Sequence, residues 1–199
     1  MRLAASITPL LAACVALPAC SQASMSAPSK EEPAMTTATP SAVASSQPEA
    51  TAVLQRMLEL IQGTHALADL TPARVGQVMG VSLERARDGS ARYGFGAALD
   101  SSWSYTIELD STSPDAAKFA FNFMSSSPDA SMSPICQMDF DAFSRRLEAL
   151  GFTRTPYNAE HGRLVKAWFD KPGLRVSVYP QGESDESAEH RCVRTVTMP

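Results

Sequence analysis

Tyr93-Gly94-Phe95-Gly96-Ala97-Ala98-Leu99, Asp100-Ser101-Ser102 and Trp103-Ser104-Tyr105-Thr106-Ile107-Glu108-Leu109 run consecutively, and their reading decides the fold class. Tyr93, Phe95, Ala97 and Leu99 alternate with small residues. Trp103, Tyr105, Ile107 and Leu109 alternate with Ser104, Thr106 and Glu108. Period-two alternation on both sides of a three-residue turn predicts a β-hairpin with one apolar and one polar face. The expected register sets Leu99 opposite Trp103, Ala97 opposite Tyr105 and Phe95 opposite Ile107. Phe119, Phe121 and Phe123 continue the same alternation and predict a third strand.

Upstream the period changes to that of a helix. Thr71-Pro72-Ala73-Arg74-Val75 opens a segment that ends at Gly80. Thr71 can accept a hydrogen bond from a free backbone N–H, Pro72 suits the first helical position, and Gly80 can take the left-handed turn that stops a helix. Before it, Val53, Leu54, Met57, Leu58 and Ile61 recur at helical spacing up to Gly63 and predict a leading helix.

Downstream the order repeats. Asp139 or Asp141 can cap a helix carrying Phe140, Phe143, Leu147 and Leu150 on one face, with Gly151 as its stop and Phe152 as the apolar residue folding back. Leu164 to Phe169 and Leu174 to Tyr179 predict a hairpin around Asp170-Lys171-Pro172-Gly173, and Cys192 to Met198 a last strand. Gly80 and Gly151 are 71 positions apart, Asp100 and Asp170 are 70, and Phe121 and Val193 are 72. The expected fold is therefore α+β, with two helix-plus-antiparallel-sheet halves (about 71–124 and 136–198) preceded by an extra N-terminal helix. Identity between the halves is low, and a single sheet without internal symmetry is the alternative.

This layout resembles, at fold level, the β-lactamase inhibitor proteins, and one half resembles the small outer-membrane assembly lipoproteins of the BamE type. Leu70-Thr71, Val75 and Met79-Gly80 carry the resemblance in the first half, and Leu147, Leu150 and Gly151 in the second. Those families bind other proteins, so the resemblance implies a binding role and transfers no binding residue.

The domain is expected to occupy residues 51–199 of the 199-residue chain. Ahead of it, Met1-Arg2 leads into an uncharged stretch from Leu3 to Pro18. One positive residue, a short apolar run and small residues before a cut site make a secretory signal, expected over 1–19. Leu17-Pro18-Ala19-Cys20 looks like the lipobox of bacterial lipoproteins. That resemblance implies acylation of the Cys20 thiol and cleavage before it. Ser21 stands where inner-membrane retention usually has Asp, which points to the outer membrane. An ordinary cleaved signal, with Cys20 incidental, is the alternative. Of the 30 residues from Ser21 to Ala50, 21 are Ser, Ala, Thr or Pro, and none is Leu, Ile or aromatic. Such a segment cannot bury enough apolar surface to offset its ordering entropy, so 20–50 is expected to be a lipidated cysteine and a disordered tether of roughly 30 Å mean span.

Of the four cysteines, Cys14 is expected to leave with the signal and Cys20 to carry the lipid, so Cys136 and Cys192 remain. In an exported domain they read as a disulfide, whose loop the chain-entropy model values at roughly 4 kcal/mol. A redox or metal pair is the other reading, without C-x-x-C spacing to support it.

Composition excludes more than it identifies. Net charge is −4 for the chain and −3 for residues 51–199, which gives nucleic-acid binding no support. No run of 18 apolar residues follows position 20, which excludes a multi-span membrane protein. There is no G-x-S-x-G, H-E-x-x-H or Gly-rich phosphate loop, so no catalytic residue, metal site or cofactor is assigned. His65, His161 and His190 each stand alone in the sequence; His190 is near Cys192, but an oxidised Cys192 cannot ligate a metal. Glu183, Asp185, Glu186 and Glu189 read as a solvated hairpin tip.

All 14 aromatics lie between Tyr93 and Tyr179, and most are expected in the core. The second hairpin supplies the exception. Setting Phe169 opposite Leu174 places Trp168 opposite Arg175, Lys166 opposite Ser177 and Leu164 opposite Tyr179 on the face away from the core. Trp, Tyr and Arg dominate protein-binding hot spots, so Trp168, Arg175, Lys166 and Tyr179 are the candidate partner-binding residues. The resulting expectation is an outer-membrane-anchored, periplasmic binding protein with no catalytic motif, an enzyme whose groups meet only in space being the last of the alternatives. It would act as an inhibitor or immunity protein against an envelope-targeting enzyme. An envelope assembly or cell-wall accessory factor, or a carrier of a small lipophilic ligand, are the alternatives.

Overall fold

A computed structural model describes residues 49–113, 117–183 and 189–199. The expected signal, Cys20 and nearly all of the expected tether lie outside these residues, as do Asp185 and Glu186. Among the described residues three α-helices form, α1 (Ala50–Gln62), α2 (Pro72–Met79) and α3 (Phe140–Ala149). Eight strands form: β1 (Glu84–Arg85), β2 (Arg92–Ala98), β3 (Trp103–Asp110), β4 (Lys118–Ser125), β5 (Thr153–Asn158), β6 (Leu164–Lys171), β7 (Leu174–Gly182) and β8 (Arg191–Met198). All eight join one antiparallel sheet in the order β1-β2-β3-β4-β8-β7-β6-β5. The class is thus α+β. No helix among the described residues is long and apolar enough to cross a membrane.

Local chemistry explains the helix ends. Thr71 caps α2, its Oγ1 accepting from the Arg74 N–H at 3.2 Å, and Gly80 closes it at φ +69°. Asp139 caps α3 through the Ala142 N–H at 2.6 Å. After α3, Gly151 turns at φ +87° and the Phe152 N–H donates to the Leu147 carbonyl, which brings Phe152 into the core at 4% exposure. The helix α1 starts one residue inside the expected tether, with Ala50 already buried.

The first hairpin pairs as its alternation requires, with Phe95 opposite Ile107 and Ala97 opposite Tyr105. Tyr105, Ile107, Phe121, Phe123, Phe169, Val176, Val178 and Val196 line the buried face of the sheet. Leu54, Met57 and Ile61 of α1, Val75 and Met79 of α2, and Phe140, Phe143 and Leu147 of α3 belong to the same core. Each such side chain contributes roughly 1.5–3 kcal/mol by leaving water. The seam of the sheet is β4 against β8, where Phe121 pairs with Val196 and Phe119 with Met198.

The second hairpin corrects the expected pairing. Its turn is the two residues Pro172-Gly173, with Lys171 opposite Leu174, so Phe169 faces Val176 and Trp168 faces Ser177. Arg175 lies opposite Asp170. The alternation could not distinguish a four-residue turn from a two-residue one. A shift of two along a strand leaves every side chain on its own face, whereas a shift of one would reverse it. The faces expected for Phe169 and Trp168 therefore hold while the partners change. Proline fixes φ at the first turn position and Gly173 supplies φ +84° at the second. A Cβ on Gly173 would also stand 2.7 Å from the His65 carbonyl oxygen. Gly173→Ala is accordingly expected to lose roughly 2 kcal/mol or more, left-handed strain and a backbone clash together, read as a lowered urea midpoint.

Candidate functional site

Among the described residues, the helices pack on one face of the sheet and leave the other face open. Along it β2 offers Gly94, Gly96 and Ala98, β3 offers Ser104 and Thr106, and β4 offers Ala120 and Asn122. A Cβ at Gly94 or Gly96 would have no neighbour closer than 3.8 Å, and neither residue has a positive φ. The fold itself does not require glycine there. Glycine inside a strand weakens it and commonly marks close approach by another group.

Across the seam the same face carries a cluster of large side chains. The Lys166 ammonium lies 4.9 Å from the Trp168 ring centre, 5.3 Å from that of Tyr179 and 5.7 Å from that of Tyr157. Its Nζ donates to the Tyr179 hydroxyl at 3.4 Å. The Tyr157 and Trp168 rings are 5.4 Å apart and tilted by 52°. Each cation–π contact at such a site contributes about 0.5–1 kcal/mol, enough together to hold the rings in place before any partner arrives. Among the described residues no carboxylate pairs with Lys166.

The structure thus brings together three of the four residues singled out from sequence: Trp168, Lys166 and Tyr179. Arg175 is nearby, its guanidinium 5.7 Å from the Trp168 ring, but both its Nε and Nη2 donate to Asp170, at 2.6 and 3.2 Å. Those hydrogen bonds and the charge of Asp170 raise its pKa. Arg175 therefore acts as a brace beside Trp168. Tyr157 was not singled out. It sits on the edge strand β5, whose Pro156 and charged neighbours hide the strand in the sequence. Among the described residues, the large hydrophobic side chains with the highest exposure are Met124 at 48% and Tyr157 at 47%, both on the open face.

Cys136 and Cys192 form the expected disulfide, which ties the start of the α3 region to β8. His190 is not isolated, contrary to the reading from sequence. Its Nδ1 is 2.8 Å from Glu183 Oε2, and its Nε2 is 3.6 Å from Asp139 Oδ2. The antiparallel β7–β8 pairing brings Glu183 and His190 together, since the Glu183 N–H donates to the His190 carbonyl. The hydrogen bond to Glu183 raises the His190 pKa, with the charges of Glu183 and Asp139 acting the same way. The Glu183 carboxyl is lowered, first by His190 and then by Ser133 Oγ, which donates to its other oxygen at 3.1 Å. This ion pair favours the folded state below the unfolded histidine pKa and fades as pH rises past the raised value.

Among the described residues, clefts open beside both the His190–Glu183 pair and the glycine lane, one reaching Ser133 and Glu183 and the other Gly94, Gly96 and Ala120. One lies at the sheet end between Trp103, Ser131, Arg163 and Glu183, and the other at the β1 edge between Arg85, Tyr93, Glu108 and Lys118. Neither is lined by a residue of α1, α2 or α3. No protein-family model matches the chain, and no curated protein and no solved structure is a significant match to it.

Proposed function

We propose that the chain is a lipoprotein anchored in the outer membrane through Cys20, whose periplasmic domain binds another protein through the open face of its sheet. Its most specific form is an inhibitor or immunity protein against an enzyme that attacks the envelope. The observation that carries the binding role is the Tyr157–Trp168–Lys166–Tyr179 cluster on a sheet face that none of the helices among the described residues covers. Rigid aromatic surfaces around a cation are the side chains that dominate protein-binding energy, and the glycine lane on β2, toward the opposite edge of the same face, lets a partner approach the backbone. The anchor rests on Leu17-Pro18-Ala19-Cys20, and the reach on the Ser/Ala/Pro-rich residues after it. Residues 71–124 and 136–198 are read as a tandem duplication. The mirror order of strands, β1 to β4 meeting β8 to β5, supports this, as does the spacing of Gly80 and Gly151.

Chemical crosslinking in intact cells, followed by capture of the full chain, tests the proposal. Trp168→Ala combined with Tyr157→Ala is expected to reduce partner capture at least tenfold while the circular dichroism spectrum stays that of wild type. Undiminished capture by that folded variant would show that the face is not the binding surface. Cys20→Ser is expected to move the chain from the membrane fraction to the soluble fraction. Persistence in the membrane would reject the anchor.

A further inference from the structure

The disulfide, His190, Glu183 and Asp139 meet at one place, and their arrangement has more order than an ion pair requires. The Cys136 sulfur is 3.8 Å from His190 Nδ1, and that same nitrogen faces Glu183 Oε2 at 2.8 Å. One donor atom from each of Cys136, Glu183 and His190 falls within 4.8 Å of the others. Tetrahedral zinc binds sulfur at about 2.3 Å and nitrogen or oxygen at about 2.0–2.2 Å, so its ligand atoms stand about 3.3–3.8 Å apart. The Cys136–His190 spacing of 3.8 Å meets this, whereas Glu183 Oε2, hydrogen-bonded to His190 Nδ1 at 2.8 Å, has to move about 0.5 Å away to admit the ion. The groups around the ligands are in place. Asp139 Oδ2 faces the opposite nitrogen of His190, the position of the carboxylate that orients a metal-bound imidazole. Ser133 Oγ holds the second oxygen of Glu183.

We propose that reduction of the Cys136–Cys192 disulfide opens a zinc site formed by both cysteine sulfurs, His190 Nδ1 and Glu183. Both sulfurs are bonded to each other in the oxidised protein and offer no thiolate. A dithiol reductant changes this. Its first thiolate attacks one sulfur and breaks the S–S bond, and its second thiol closes the reductant's own disulfide, leaving two thiols on the protein. Zinc then displaces one proton from each thiol, and a third from His190 where that ring is protonated. Thiolate and imidazole donors suit zinc among the common divalent ions. His190 and Glu183 are partly exposed, at 47% and 28% of their side chains, and give the ion its entry, while Cys136 and Cys192 lie beneath. The α3 region then stays tied to β8 in either redox state, by a covalent bond or by the metal.

The test uses the full chain, reduced under anaerobic conditions with a phosphine, which becomes phosphine oxide and is itself no thiol ligand. Cobalt(II) is the probe, because thiolate-to-cobalt charge transfer reports sulfur ligation directly. The reduced chain is expected to bind one cobalt with that absorption and to release it to equimolar zinc, and the oxidised chain to show none. His190→Ala is expected to weaken binding tenfold or more. Asp139→Asn keeps a good helix cap and is expected to weaken it about tenfold through the imidazole alone. Cys136→Ser with Cys192→Ser retains Cys14 and Cys20 and is expected to abolish the signal. Circular dichroism follows the fold. A reduced chain that loses helix and regains it with zinc supports the site, and one that stays unfolded in excess zinc overturns it. A folded reduced chain without the absorption, or equal affinity in His190→Ala, overturns it as well.

Discussion

Replacing Phe121 by alanine is expected to cost about 3–5 kcal/mol of unfolding free energy, the range for deleting a fully enclosed aromatic ring. Phe121 is 0% exposed and stands on β4 between Ile107 of β3 and Val196 of β8. Its ring meets Phe123 edge-on at 4.8 Å and Tyr105 at 6.0 Å. The neighbours cannot collapse into the space, because strand pairing fixes the backbone on both sides. The position is also the seam between the two four-strand meanders, so the loss falls on the contact that joins them. Urea unfolding followed by circular dichroism gives the number. Phe121→Leu, which keeps most of the volume, is expected to cost about 1 kcal/mol. A loss below 1 kcal/mol for the alanine variant would mean that the seam is not where the core is tightest.

Removing the disulfide is the second large effect. Cys136 and Cys192 are 56 positions apart, and the chain-entropy model gives about 4 kcal/mol for closing a loop of that size. Both residues are buried, at 6% and 0% exposure, so Cys136→Ala with Cys192→Ala also loses packing. The variant is expected to unfold at a clearly lower urea concentration than the oxidised wild type. Measured in a chelator, the reduced wild type should match it to within about 1 kcal/mol. Equal midpoints for the oxidised and cysteine-free proteins would show that the bridge adds nothing. Trp168→Ala should behave oppositely to both, with a small stability change and a large loss of partner capture, because Trp168 is half-buried on the open face.

How far the sequence carries depends on the range of the interaction that each feature needs. The caps were legible because they are local. Thr71-Pro72 and Gly80 satisfy the α2 ends from within one turn, and Asp139 does so for α3. The first hairpin was legible because Asp100-Ser101-Ser102 leaves one reasonable register for strong alternation on both sides. The second hairpin was not, since Asp170-Lys171-Pro172-Gly173 admits two turns that keep the same faces. The edge strand β5 left little trace. A strand paired on one side tolerates Pro156 and needs no apolar alternation, and Tyr157 was missed with it.

By itself the sequence determined that this protein has helices of two-faced character, strands of period two and, within the domain, the cysteine pair Cys136 and Cys192. Each of these follows from residues close together in the chain or from composition. Only the tertiary structure decided that β4 pairs with β8, which makes one eight-stranded sheet with a single open face. It alone set Lys166 among three aromatic rings and brought Asp139 and Glu183 to the two nitrogens of His190. Those contacts join side chains far apart in sequence, and their geometry exists only once the shared core has positioned the backbones that carry them.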